Sequence, residues 1–206
     1  HNMSINVCND RSMASITSFP SGVSGSSLVL ISTQTASSSA NINFTSGIDS
    51  TYKEYIFKFI DIHPQNEEAN FTFNLSVDGG SNYNVAKTST FFRAFHLEDD
   101  SSQNLYYTNG GDLAQGTGVQ NLTHDGIGNG NDECFAGTLH LFDPSSTTFV
   151  KHYMSSASVN AYQVNYGIYN TYCAGYGNTT SAIDAIQFKM SSGNIDTGTI
   201  KMYGVV

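Results

Sequence analysis

The alternation of apolar and polar residues in segment 70–78, NFTFNLSVD, is the feature that most constrains the fold. A two-residue period is typical of a β-strand with one buried face. From Leu28 onward, similar short runs rich in Val, Ile, Thr, Tyr and Phe are separated by clusters of Gly, Asn, Asp and Ser. Helix signals are nearly absent, so the sequence predicts an all-β antiparallel β-sandwich of jelly-roll type.

The same period predicts the individual strands and the core. Segment 78–82, DGGSN, predicts a tight hairpin that leads into a strand at Tyr83–Thr90. The strand Thr51–Ile62 has apolar residues on both faces, with Ile56, Ile60 and Ile62 opposite the main core face. The other predicted strands are Leu28–Thr33, Ala40–Thr45, Phe91–Leu97, Cys134–Phe142, Thr147–Met154, Ala161–Tyr169, Ile183–Met190 and Thr199–Val205. The predicted core consists of Tyr55, Phe57, Phe59, Phe71, Phe73, Leu75, Val77, Leu139 and Leu141.

Residues 1–27 have no sustained period of either 2 or 3.6 and end in a Gly/Ser-rich stretch. We therefore expect an extended N-terminal arm, followed by one sandwich domain at residues 28–206. The apolar residues of the arm are spaced too irregularly for a helix and need cover from a partner. The predicted particle-docking residues are Met3, Ile5, Val7, Met13, Ile16 and Phe19.

Net charge and the lengths of apolar runs exclude two classes of partner, and the cysteine count limits the possible disulfide bonds. Eight Lys and Arg against seventeen Asp and Glu give a net charge of −9, which predicts no nucleic-acid partner. No apolar run approaches the length of a membrane span, so no membrane partner is expected. Cys8, Cys134 and Cys173 are either three free thiols or one free thiol with a Cys134–Cys173 bridge.

Candidate chemistry is sparse, and we predict no catalytic residue, no metal site and no cofactor. The acidic pairs at 67–68, 99–100 and 132–133 are adjacent in sequence, which is typical of solvated turns. His140 and His152 flank a turn but lack third and fourth metal ligands. The glycines at 126–130 do not follow a strand and open a helix, as a nucleotide-binding loop would.

Two segments are typical of contact surfaces. The glycine-rich stretch Asn104–Asp132 is long and weakly patterned, as functional loops often are. A tyrosine-rich stretch follows, and its aromatic side chains suit strand packing, a subunit interface or a glycan-stacking surface. Its predicted subunit- or glycan-contact residues are Tyr162, Tyr166, Tyr169, Tyr172 and Tyr176.

Four segments resemble structural proteins of tailed bacteriophages, particularly phages of marine bacteria and cyanobacteria. These are TQTASSSA at 33–40, FTSGIDSTY at 44–52, DGGS at 78–81 and SSGNIDTGTIKMYG at 191–204. The resemblance spans residues 28–206 and carries no catalytic residues. It implies a virion protein on the outer surface of the particle, with the major capsid protein or tail proteins as partners.

Together these observations predict a non-enzymatic capsid decoration or cement protein, docked by its arm and self-associating as a homo-oligomer. The expected self-association surface is the second face of Thr51–Ile62 or the Tyr162–Tyr176 segment. The alternative is a tail-fibre or receptor-binding module that binds a host-surface glycan. A third candidate is a polysaccharide-degrading enzyme, which would need two carboxylates from separate strands on either side of a groove.

Overall fold

A computed structural model describes residues 27–162 and 167–206 as two packed antiparallel sheets. The described ranges contain strands, turns and loops but no helix, and so no helix that could cross a membrane. The strands are β1 (Leu28–Ser39), β2 (Ile42–Phe44), β3 (Glu54–Pro64), β4 (Phe71–Ser76), β5 (Lys87–Leu97), β6 (Gln103–Tyr107), β7 (Gln120–Asn121), β8 (Phe135–Phe142), β9 (Lys151–Ala161), β10 (Gly167–Gly177), β11 (Ala185–Met190) and β12 (Ile195–Val205).

The large sheet has eight strands in the order β1-β12-β3-β8-β9-β10-β5-β6, and the small sheet has four in the order β2-β11-β4-β7. The chain alternates between the sheets through β1, β2, β3 and β4, and again through β7 and β8 and through β11 and β12. By contrast, the pairs β5–β6 and β9–β10 both stay in the large sheet, where they form the four adjacent strands β9, β10, β5 and β6. We call these four strands the wing. The predicted all-β antiparallel sandwich is confirmed.

The core between the sheets is built around Phe188 of β11. Its ring lies 5.4 Å from Phe57 and 5.2 Å from Phe59, both of the large sheet, measured between ring centroids. It also stacks on Phe71 of the small sheet at 5.9 Å. All predicted core residues except Val77 are buried, so the strand period identified the sheet-to-sheet packing.

Strand β4 differs from the prediction in having two buried faces. Its polar residues Thr72, Asn74 and Ser76 are buried, whereas Val77 lies past the end of the strand and is 38% exposed. The outward side chains are covered by loops. The Asn74 amide donates to the backbone carbonyls of Tyr83 (2.6 Å) and Thr117 (3.1 Å), which satisfies it without water.

The predicted hairpin from 78–82 into Tyr83–Thr90 is wrong, although the turn itself forms. The Asp78 carboxylate accepts hydrogen bonds from the Asn82 backbone and side-chain amides. After the turn the chain crosses to the other sheet, and β5 begins only at Lys87. The predicted strand Ala161–Tyr169 is also wrong, because β9 ends at Ala161 and β10 begins at Gly167.

A β-bulge in β3 corrects the face assigned to Ile62. Asp61 adopts a positive φ of 50°, and the pairing register with β8 shifts between Phe59 and Ile62. The extra residue turns Ile62 into the core and leaves Ile60 40% exposed on the opposite face. Gly198 of β12 lies against the bulge at φ +133°, where a Cβ would come within 2.8 Å of the Asp61 carbonyl oxygen.

The two described cysteines are free, so the alternative of a Cys134–Cys173 bridge is wrong. Cys173 is buried on the inner face of β10, opposite Phe91 and Ser155. Burial raises the pKa of its thiol to about 12, which keeps it protonated and unreactive at neutral pH.

Lys87 is a fully buried lysine at the start of β5. Its ammonium donates to the Asn74 side-chain oxygen and to the Val85 carbonyl at 2.8 Å. Burial lowers its pKa to about 8, because the charged form is poorly solvated there. The lysine therefore ties the first strand of the wing to the small sheet at an electrostatic cost near neutral pH.

We predict that Phe188→Ala lowers the free energy of unfolding by about 3–5 kcal/mol, because it leaves a cavity among four or more aromatic rings. The matched control is Phe149→Ala, since Phe149 is 71% exposed and its loss should change stability by less than about 0.5 kcal/mol. Urea unfolding of both variants measures the difference. Equal effects of the two substitutions would show that the core is not centred on Phe188.

A second prediction concerns Lys87→Met. Between pH 8 and about 10.4 the native lysine loses its proton while the unfolded chain retains it, so the wild-type free energy of unfolding gains up to about 1.4 kcal/mol per pH unit from this group. Lys87→Met lacks this gain, whereas contributions from tyrosines and cysteines are common to both proteins. The stability of wild type relative to Lys87→Met should therefore rise from pH 7.5 to 9.5. The stability of wild type relative to Lys53→Met, a substitution at an exposed lysine, should stay constant over the same pH range. A constant stability difference between wild type and Lys87→Met would contradict the buried-amine assignment.

Candidate functional site

The outer face of the wing exposes large apolar side chains. Pairing places even-numbered residues of β8, β9, β10 and β5 on this face, together with odd-numbered residues of β6. The small sheet covers only the opposite, inner face. We define the outer patch as Phe92, Leu105, Tyr107, Met154, Ile168 and Tyr172, all of which are exposed.

An aromatic row crosses three strands of the outer patch. Tyr172 of β10 pairs with Phe92 of β5, and Phe92 pairs with Tyr107 of β6. The Phe92 and Tyr172 rings are stacked, with centroids 5.0 Å apart and planes inclined by 13°. Stacking holds both rings in a defined orientation while leaving more than a third of each side chain open to solvent. This ordered aromatic surface can contact another protein or a flat ligand.

A groove of about 260 Å³ borders the aromatic row. Its lining includes Thr138 and Ser156, which pair across β8 and β9. Met154, Tyr172, His140 and Phe142 also line it. The His140 Nδ1 atom lies 2.6 Å from the Glu54 carboxylate, which fixes the orientation of the imidazole ring. The groove is thus mainly apolar and aromatic, with two hydroxyl-bearing residues in its lining.

A second depression, of about 440 Å³, lies at the other end of the outer face and is acidic. Its lining includes Glu98, Asp132 and Ile168. His96, which also lines it, is 3.0 Å from the Asp100 carboxylate. This depression therefore carries two carboxylates of the outer face.

The inner face of the wing is covered by the long loop that the sequence marks as a contact segment. From Thr108 onward this loop folds beneath the wing, where Leu122 and Ile127 join the core. The Gln120 side-chain oxygen Oε1 accepts hydrogen bonds from the hydroxyls of Ser89 (2.7 Å) and Tyr153 (3.1 Å). Most of this loop completes the fold rather than forming an exposed contact surface.

A polar cluster lies where the loop meets β5. Arg93 forms an ion pair with Asp125 and stacks over the rings of Tyr106 and Tyr169, at 4.7 and 5.5 Å from the centroids. The pKa of neighbouring His124 is lowered, first by burial and then by the positive charge of Arg93. Neither groove of the outer face includes these groups among its lining residues. The ion pair between Arg93 of β5 and Asp125 of the loop connects the loop to the wing.

The structure separates the predicted tyrosine contacts by face. Tyr172 is exposed, and Tyr176 is half-buried on the same outer side, 6.1 Å from the His152 ring. Tyr169 points inward, is buried and stacks on Phe95, so its assignment as a contact residue is wrong. Tyr162 is half-buried beyond the end of β9. Tyr166 and the six predicted docking residues of the arm lie outside the described residues.

The remaining candidates occupy structural positions. The Asp99 carboxylate accepts from the Ser101 amide, as in a solvated turn. Glu133 is instead buried and its carboxylate accepts from the Gly130 amide, so the predicted solvated turn is wrong at this residue. The register places His140 and His152 on the same face, since even-numbered residues of β8 and β9 pair with each other. Within residues 27–162 and 167–206, no three His, Cys, Asp or Glu side chains are placed to hold a metal ion.

Sequence reasoning missed Phe92, Leu105, Tyr107, Met154 and Ile168 as members of an exposed surface. Only the register of four adjacent strands, β9, β10, β5 and β6, places them together. No protein-family model, curated protein or solved structure matches the chain.

Proposed function

We propose that this chain is a non-enzymatic structural protein on the outer surface of a tailed-phage particle. In this proposal it is a capsid decoration or cement protein that residues 1–27 dock onto neighbouring virion proteins. The observation that carries the proposal is the outer patch, because contiguous apolar surface left open on a folded chain typically marks a contact site. The resemblance of residues 28–206 to phage structural proteins implies the major capsid protein or tail proteins as the proposed partners.

We further propose that the sandwich is a jelly roll. The alternation of β1, β2, β3 and β4 between the sheets, repeated by β7 with β8 and β11 with β12, supports this assignment. The wing is then an insertion that widens one sheet of the jelly roll. An insertion whose outer face is apolar is suited to contact between neighbouring subunits.

The alternative is a receptor-binding module of the phage tail that binds a host-surface glycan. The groove beside Tyr172 favours this alternative, because an aromatic ring can stack on the apolar face of a sugar while neighbouring hydroxyl groups hydrogen-bond to the sugar hydroxyls. The copy number of the protein per particle distinguishes the two functions. A number matching the capsid lattice supports the cement protein, and a number matching the tail symmetry supports the receptor-binding module.

We predict that deleting residues 1–24 leaves the melting temperature nearly unchanged and abolishes incorporation into particles. Residues 27–162 and 167–206 already contain the aromatic core, so folding and docking are assigned to different segments. Calorimetry measures the first effect, and quantitative mass spectrometry of purified virions measures the second. If the truncated protein occupies particles at the wild-type level, the arm is not the docking element.

We also predict homo-oligomer formation through the outer patch. The double variant Leu105→Lys with Ile168→Lys should sediment as a monomer at concentrations where wild type is oligomeric, because two charges would be buried at the interface. The control is Val77→Lys, at an exposed position just past the end of β4. Monomeric sedimentation of wild type at micromolar concentration would contradict self-association.

A further inference from the structure

Two lysines face each other on the outer side of the large sheet. Lys58 of β3 and Lys201 of β12 are direct pairing partners. Like charges directly opposite each other destabilise a sheet, and this chain has only eight Lys and Arg in all. Among the described residues, neither ammonium lies within ion-pair distance of a carboxylate; Lys58 lies 5.4 Å above the Tyr203 ring. The pair thus places two uncompensated positive charges together on a chain of net charge −9.

The pairing register connects these lysines to the groove and the aromatic row. Lys58 pairs with Thr138, Thr138 with Ser156, Ser156 with Tyr172, and Tyr172 with Phe92. All five side chains lie on the outer face, in one line perpendicular to the strands. With neighbouring strands about 4.8 Å apart, the line from Lys58 to Phe92 spans roughly 19 Å. Positive charge, hydroxyl groups and stacked rings therefore follow one another in a fixed order.

We propose that this row binds an acidic oligosaccharide that lies across the strands. In this arrangement Lys58 and Lys201 bind a carboxylate or sulfate group, and Thr138 and Ser156 hydrogen-bond to sugar hydroxyls. The apolar face of a sugar ring packs on Tyr172 and Phe92. The inference rests on the glycan-binding alternative described above and defines its ligand by charge.

The distribution of charge on the outer face favours the row over the acidic depression as the site of an anionic ligand. Glu98 and Asp132 at that depression, which lies further along the same strands, would repel such a ligand. Glu54 is the acidic group near the groove, and its carboxylate is paired with His140 at 2.6 Å. A nucleic acid is disfavoured, because two lysines provide too few phosphate contacts against the net negative charge.

The test uses matched charged and neutral probes. Isothermal titration calorimetry compares tetragalacturonate with its methyl ester, and a sulfated galactose tetrasaccharide with its desulfated form. We expect one or both anionic probes to bind at least about tenfold more tightly than the neutral counterpart, the size expected for a charge-assisted hydrogen bond. This preference should fall as salt is raised, because screening weakens exposed charge pairs.

Two variants test separately the contributions of the lysine charges and of the stacked rings to binding. Lys58→Gln with Lys201→Gln should remove the preference for anionic probes and leave binding of the neutral probes unchanged. Tyr172→Ala should weaken both kinds of probe. Lys189→Gln is the matched control, since this lysine belongs to β11 of the small sheet and therefore lies on the other sheet from the groove. Melting curves verify that each variant is folded.

The outcomes distinguish this inference from the proposed functions. If charged and neutral probes bind equally and only Tyr172→Ala weakens binding, the groove is a glycan site without charge selection. That result would overturn the inference. If no probe binds, both the inference and the glycan-binding alternative fail, and the capsid-protein proposal is unaffected. Normal incorporation of the double lysine variant into particles, with reduced adsorption to host cells, would support an acidic host glycan as the ligand.

Discussion

The packing of aromatic rings around Phe188 determines which side of each sheet faces inward. Rings from β3, β4 and β11 meet there, so Phe57, Phe59 and Phe71 are buried together. Because side chains alternate along a strand, burying one face of β3 commits its other residues to the opposite side. Strand pairing then determines which residues of β8 and of the four wing strands face inward and which face outward. The position of every outer-face residue, including Lys58 and Tyr172, follows from the core.

The wing extends beyond the area that a four-stranded sheet can cover. Its inner face is completed by the loop beneath it, which contributes apolar residues such as Ile127 and the Asp125 carboxylate that pairs with Arg93 of β5. A buried ion pair adds little net stability relative to apolar packing, but removing one partner is costly. No equivalent cover lies over the outer face in the described part of the chain. The outer patch is therefore the surface that a partner or ligand can occupy.

The sequence predicted the sheets and the core, because a two-residue period is local information. Phe71, Phe73 and Leu75 were assigned correctly for this reason. Ile62 was not, since a bulge at Asp61 adds one residue and reverses the face of everything that follows. The turn at 78–82 forms as predicted, but turn chemistry does not determine which sheet the next strand joins. Tyr169 and Tyr172 differ in role because register, rather than composition, assigns their faces.

Hydroxyl-radical footprinting of the free protein and of assembled particles tests most directly whether the outer face is the contact surface. Met154, Tyr107 and Tyr172 react readily with hydroxyl radicals and lie on the outer patch, whereas Phe149 is exposed at the end of the sheet. The account predicts that the three outer-patch residues become protected in particles or with bound ligand, while Phe149 stays reactive. Unchanged reactivity of the outer patch, together with protection of Phe149, would contradict it.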